Sequence, residues 1–258
     1  MRCFAIVGLL VVVLFNGLTI AAAQERGEVR KEVAAAADPV AKVNFIDLRV
    51  RFFDLEDGSD RTVYSIEGAQ VLDPKFKLAY GARYWKTDVT GSDRSGWANL
   101  QLQGVYFTKE GRWRETKYRT AVGFDLTIDG DNVDKGIGAG ADTIGPLFAV
   151  GLLPKPDTGL IAVVKYLKSF DSDPGRDVEA TTFSFSGIQQ LRRIDGWFRL
   201  DAQILINHEN DDKSTTTLSF QLGKQFNPTF SVYVDGLLDI AGQKSIDDGY
   251  GIAGRFLF

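Results

Sequence analysis

From Asn44 to the C-terminus, apolar and polar residues alternate in a series of segments. Strands produce this pattern because successive side chains point to opposite faces. The apolar positions read Ile46, Leu48, Val50 and Phe52 in the first segment and Tyr64, Ile66 and Leu72 in the second. Phe76, Leu78, Tyr80, Ala82 and Tyr84 form the third, and Ala98, Leu100, Leu102 and Tyr106 the fourth. The fifth has Tyr118, Val122, Phe124, Leu126 and Ile128. Pro146 to Leu153 and Leu160 to Phe170 alternate less strictly, as bulged strands do. Phe183 and Phe185 mark the eighth segment, and Phe198, Leu200, Ala202, Ile204 and Ile206 the ninth. Leu218, Phe220 and Leu222 belong to the tenth, and Phe230, Val232, Val234, Leu238 and Ile240 to the eleventh. The last segment, Gly249 to Phe258, sets Tyr250, Ile252, Phe256 and Phe258 against Gly249, Gly251, Ala253, Arg255 and Leu257. Most segments are about 9–11 residues long, the length of a tilted strand that crosses a bilayer.

The connections alternate in kind. Asp73-Pro74, Lys109 to Arg114, Pro154 to Thr158, Arg192 to Gly196 and Asn227-Pro228 are short. Asp54 to Arg61, Thr87 to Gly96, Asp129 to Gly145, Asp171 to Val178, His208 to Lys213 and Ala241 to Asp248 are longer and mostly acidic or glycine-rich. A soluble sandwich has no reason to sort its loops in this way. An even-stranded membrane barrel has short periplasmic turns and longer extracellular loops. The pattern therefore predicts an all-β fold, an antiparallel transmembrane β-barrel of about twelve strands. The terminal strand resembles those of bacterial outer-membrane barrels, in which a final Phe serves as the assembly signal. That resemblance implies recognition of the Phe258 strand by the barrel-assembly machinery, with outer-membrane lipids around the wall.

The opposite parity predicts the lumen. It carries Asp47, Arg49, Arg51, Glu67, Lys77, Arg83, Arg119, Asp125 and Lys165, followed by Arg199, Asp201, Asp235, Asp239 and Arg255. Asn99, Gln101, Gln103, Lys117, Gln203, Ser219, Gln221 and Tyr233 share this face. Charge against lipid is costly, so its restriction to one parity identifies the inside. Two readings stay open: the charges pair and fill the lumen, or they line a thin aqueous channel. Twelve strands lie between the filled eight-stranded and the open sixteen-stranded barrel. A ring of Arg49, Arg51, Arg83, Arg119 and Arg199, balanced by Asp47, Asp125, Asp201 and Asp235, predicts weak ion selectivity.

Upstream, Met1-Arg2, the apolar run Phe4 to Phe15 and Ala21-Ala22-Ala23 predict a secretory signal peptide over residues 1–23. Residues 24–43 read as a periplasmic leader or a short luminal plug, and 44–258 as one barrel domain. Cys3 is the only cysteine and leaves with the signal. Loss of Arg2 takes the net charge from −4 to −5, which gives no support to nucleic-acid binding.

Other chemistry is sparse. His208, the only histidine, sits in His-Glu-Asn-Asp-Asp, where Asp211 or Asp212 could orient it as a protease of the omptin kind requires. A barrel phospholipase would need a nearby serine, and the His-x-Ser arrangement is absent. Asp129 to Asp134 offers oxygen ligands for Ca²⁺ but lacks the EF-hand spacing and its bidentate Glu. Gly136 to Gly140 lacks the Lys-Ser/Thr of a phosphate loop. No enzyme and no cofactor is expected.

Several short motifs point to a family. Asp38-Pro39-Val40-Ala41-Lys42 precedes the first strand, and Gly96-Trp97-Ala98-Asn99-Leu100-Gln101-Leu102-Gln103 lies in the fourth. Gly145-Pro146-Leu147-Phe148-Ala149, Asp195-Gly196-Trp197-Phe198 and Gly223-Lys224-Gln225-Phe226 follow in order. In this order they resemble the outer-membrane family of the MetA pathway of phenol degradation, whose members often carry Gly-Leu-Gly-Asp where Trp97-Ala98-Asn99 follows Gly96 here. The resemblance implies a transporter for small, often hydrophobic or aromatic compounds and supplies no catalytic residues. The expected function is an outer-membrane channel for passive passage. The alternatives are a closed structural or adhesive barrel working through its loops, and a surface hydrolase.

Overall fold

A computed structural model describes residues 41–258. The expected signal peptide and most of the expected leader lie outside the described residues. Twelve strands run β1 (Phe45–Leu55), β2 (Asp60–Asp73), β3 (Phe76–Thr87), β4 (Arg94–Trp113), β5 (Thr116–Asp129), β6 (Ala141–Lys155), β7 (Thr158–Ser172), β8 (Glu179–Leu191), β9 (Gly196–Asn207), β10 (Lys213–Asn227), β11 (Phe230–Gly242) and β12 (Ile246–Leu257). Each pairs antiparallel with its neighbours in sequence, and β1 pairs with β12 to close the barrel. Closure removes both sheet edges, so every strand finds partners for its backbone groups inside an apolar medium.

The strands exceed the expected length, at 11 to 20 residues. Four of the short connections shrink to two residues, and the fifth, Arg192–Ile194 with Asp195, is a 3-10 turn. Lys109 to Arg114, expected as a turn, is instead mostly the end of β4, paired in register with Thr116 to Thr120 of β5. At the opposite end the loop of residues 130–140 is the longest, and it carries a 3-10 turn, Val133–Lys135. By the rule for even-stranded barrels, the short-turn end faces the periplasm.

The outer surface is the apolar parity. Leu48, Phe52, Ile66, Phe124, Phe148, Phe185, Leu200, Phe220 and Ile252 are all exposed, a distribution that only a lipid environment tolerates. Two positions depart from the expected facing. Ala98 is buried and Trp97 takes its place outside, 55% exposed, with its ring edge-on to Tyr84. The cause is a bulge: Arg83 opposes Asn99 and Tyr84 opposes Trp97, which leaves Ala98 as the extra residue. Tyr80, read as lipid-facing, is only 9% exposed, with its ring folded across Gly68. A second bulge in β4 leaves Thr108 unpaired between Phe107 and Lys109, and it sets the inward parity of everything downstream in that strand.

The inside is less uniformly polar than its parity suggested. Ile161, Ile188, Trp197, Tyr233, Ala253 and Leu257 form a buried cluster, and Val105, Phe107, Ala121 and Ala149 a second one. Val163 packs against both. These side chains narrow the part of the barrel near the short-turn end.

Candidate functional site: the barrel lumen

The centre of the luminal network is the seam where β1 meets β12. Asp47 and Arg255 stand directly opposite each other in that ladder. Arg255 donates from Nε to Oδ1 of Asp47 at 2.8 Å and from Nη2 to Oδ2 at 2.7 Å, a bidentate fork. Both residues are almost completely buried. The Tyr233 hydroxyl donates to Asp47 Oδ2 at 2.7 Å and accepts from Arg49 Nε at 3.0 Å. The Arg255 guanidinium also lies over the rings of Phe45, Tyr233 and Trp197, at 4.7, 5.1 and 5.7 Å from their centroids. Stacking of this kind suits the weakly hydrated, planar guanidinium.

The network continues along the wall. Arg49 reaches Glu67 at 3.3 Å and Asp235 at 3.4 Å, and Arg51 forks onto Asp235 at 2.9 and 3.2 Å. Gly251 permits that fork, because a Cβ there would lie 2.6 Å from Arg51 Cγ and 2.9 Å from Asp235 Oδ1. Arg83 spans Glu67 at 3.6 Å and Gln101 at 3.4 Å. Asp125, fully buried, accepts from Gln101, from Gln103 and, at 2.9 Å, from Lys165. Arg199 and Asp201 pair at 2.8 Å, and Ser186 donates to the same carboxylate. Trp197 donates to Gln221 at 2.9 Å.

The predicted luminal residues thus fall into three groups. Asp47, Arg49, Arg51, Glu67, Arg83, Asp235 and Arg255 form one linked network on β1–β3, β11 and β12. Asp125 and the Arg199–Asp201 pair belong to the facing wall. Arg119 does not join the ring expected of it: it sits near the short-turn mouth, 3.2 Å from Glu110. Glu110 went unrecognised because residues 109–114 read as a turn, and the Thr108 bulge turns it inward. The apolar inward residues were missed because inward Ile and Phe break the alternation that identifies a polar lumen. Between the two walls an inner cavity of about 250 Å³ remains, reached by Arg49, Glu67, Arg83, Gln101 and Arg199. The described end of the leader enters the same interior, where Lys77 Nζ donates to the Ala41 carbonyl at 3.0 Å.

Elsewhere, His208 places Nδ1 2.6 Å from Asp212 Oδ1 and Nε2 2.9 Å from Thr181 Oγ1, tying the β9–β10 loop to the start of β8. Asp129 accepts from the backbone N–H groups of Asp131 and Ala139, so it organises the long loop internally. Among the described residues, no cluster of three or more His, Cys, Asp or Glu side chains assembles as a metal site.

The architecture is that of outer-membrane β-barrels. No family model and no curated protein matches the chain. Among solved structures, a NanC porin superposes with a TM-score of 0.60 at 11% identity, covering 83% of this chain and 98% of that one. The COG4313 outer-membrane channel from Pseudomonas putida F1 gives 0.57 at 10% identity, covering 86% and 99%. A KdgM porin, crystallised in complex with disordered oligogalacturonate, gives 0.53 at 11% identity, covering 83% and 99%. At this identity the likeness is one of fold.

Proposed function

We propose that the protein is a passive outer-membrane channel for small molecules and has no catalytic activity of its own. The observation that carries this reading is the inner cavity of about 250 Å³, bounded by charged side chains of both signs inside a lipid-facing barrel. Paired charges cancel much of the field, so size sets passage more than charge does. Membership of the phenol-degradation outer-membrane family is part of the proposal, and with it small aromatic solutes. The rings of Phe45 and Tyr80, which line that cavity beside Arg255, support that chemistry. Outward-facing Phe256 on the closing strand and exposed Phe258 just after it support recognition by the barrel-assembly machinery.

The test is single-channel recording in planar bilayers. The expected result is small, steady openings with weak ion selectivity, and a silent, fully folded barrel overturns the reading. The buried aromatic and aliphatic clusters near the short-turn end favour a second reading in that event, a closed barrel that acts through its outer loops.

A further inference from the structure

The short-turn mouth holds another cavity, about 770 Å³, walled by the end of β4, the start of β5, the β6–β7 turn and residues 41–43. Six of its lining side chains are cationic, Lys42, Arg112, Arg114, Lys117, Arg119 and Lys155, against two acidic ones, Glu115 and Asp157. Of the neighbouring carboxylates, Glu115 forms no ion pair among the described residues, and the other two are already engaged. Glu110 is held by Lys42 and Arg119, and Asp157 lies 3.6 Å from Arg192. Among the described residues, no carboxylate forms an ion pair with Arg112, Lys117 or Lys155.

Arg112 and Lys117 are, moreover, direct cross-strand partners. Like charges opposed across a ladder are destabilising, and the Thr108 bulge is what turns Arg112 to the inner face beside Lys117. An oxyanion between the two cations would offset that repulsion, and a guanidinium fork matches carboxylate and phosphate geometry. The opposite mouth has the opposite sign. Its connections, residues 56–59, 88–93, 130–140, 173–178, 208–212 and 243–245, carry eleven acidic and three basic residues. A concave, low-dielectric wall focuses such fields and raises the local concentration of the attracted ion.

We propose that the short-turn mouth is a binding vestibule for soluble anions with two or more oxyanion groups, which collects them on the periplasmic side of the barrel. The inference deepens the channel reading and rests on it for the direction of transport, whereas binding itself needs only the folded barrel.

The test uses the full mature chain, refolded in nonionic detergent and titrated calorimetrically with inorganic pyrophosphate. We expect saturable binding that weakens with added salt and falls at least tenfold in the R112Q/K117Q/K155Q variant. That variant relieves the Arg112–Lys117 repulsion, and heat-modifiable gel mobility equal to the parent's separates a loss of binding from unfolding. In bilayers, pyrophosphate added on the short-turn side reduces the conductance of the parent, and added on the other side it does not. Absence of binding, or equal affinity in parent and variant, overturns the vestibule even if the barrel conducts. Binding without conductance overturns the channel reading and leaves the vestibule standing. Displacement of pyrophosphate by phosphatidylglycerol in nanodiscs, and not by phosphatidylcholine, overturns the soluble source in favour of a lipid headgroup.

Discussion

Arg255→Met tests whether the seam pair holds the barrel together. Arg255 is 3% exposed and gives Asp47 two charge-assisted hydrogen bonds. Breaking a buried ion pair by removing one partner costs about 3–5 kcal/mol, because the other charge is left in low dielectric. Here Asp47 keeps the Tyr233 hydroxyl at 2.7 Å and Arg49 at 3.9 Å, which points to the lower end, about 3 kcal/mol. Arg255→Lys keeps the charge but loses the fork and the planar stacking on three rings, so an intermediate loss is expected. The double variant Asp47→Leu with Arg255→Met removes both charges together, and its cost is expected to fall well short of the sum of the single losses. The assay is reversible urea unfolding from thin phosphatidylcholine vesicles, followed by tryptophan fluorescence and checked by heat-modifiable gel mobility. A cost below about 1 kcal/mol for Arg255→Met, or strict additivity in the double variant, would show that the pair is a bystander and refute the reasoning.

Ile204→Arg, on the lipid face of β9, should cost about 2–4 kcal/mol if it lies near the midplane, whereas Gln203→Arg, on the luminal face, should be tolerated. Equal loss of folded barrel on heat-modifiable gels would mean the facing is reversed. Gly223→Ala would put a Cβ 2.2 Å from the Trp197 ring, so the ring must leave its slot and release Gln221. Near-ultraviolet circular dichroism should lose the Trp197 signal, and an unchanged spectrum counts against the packing. Arg83→Gln, at the inner cavity, should move the reversal potential in a salt gradient a little toward cations, and a large shift would mean the wall charges are not paired as described. Thr181→Ala and His208→Ala should leave conductance unchanged; ester hydrolysis by the parent that either substitution abolishes would place the protein among surface hydrolases.

Alternation is a local property, and it carried a large part of the fold. Period-two patterning separated Leu48, Phe52, Leu200 and Ile252 from Asp47, Arg49, Arg199 and Arg255, because lipid and polar interior make opposite demands on neighbouring side chains. Loop sorting followed from the same pattern, since an even number of membrane crossings puts alternate connections on opposite sides. What the sequence alone did not determine is where the count slips and which charges meet. A bulge adds one residue to a single strand, and its place depends on the partner's register; so Trp97 rather than Ala98 faces lipid, and Glu110 and Arg112 turn inward. Asp47 and Arg255 lie 208 residues apart, and only closure of β1 on β12 makes them partners. The Thr108 bulge in the β4–β5 hairpin sets Glu110 opposite Arg119, which holds Arg119 at the mouth, outside the ring that its parity suggested. Pairing across the lumen depends on the shear of the closed barrel, a property of all twelve strands together that no single segment encodes.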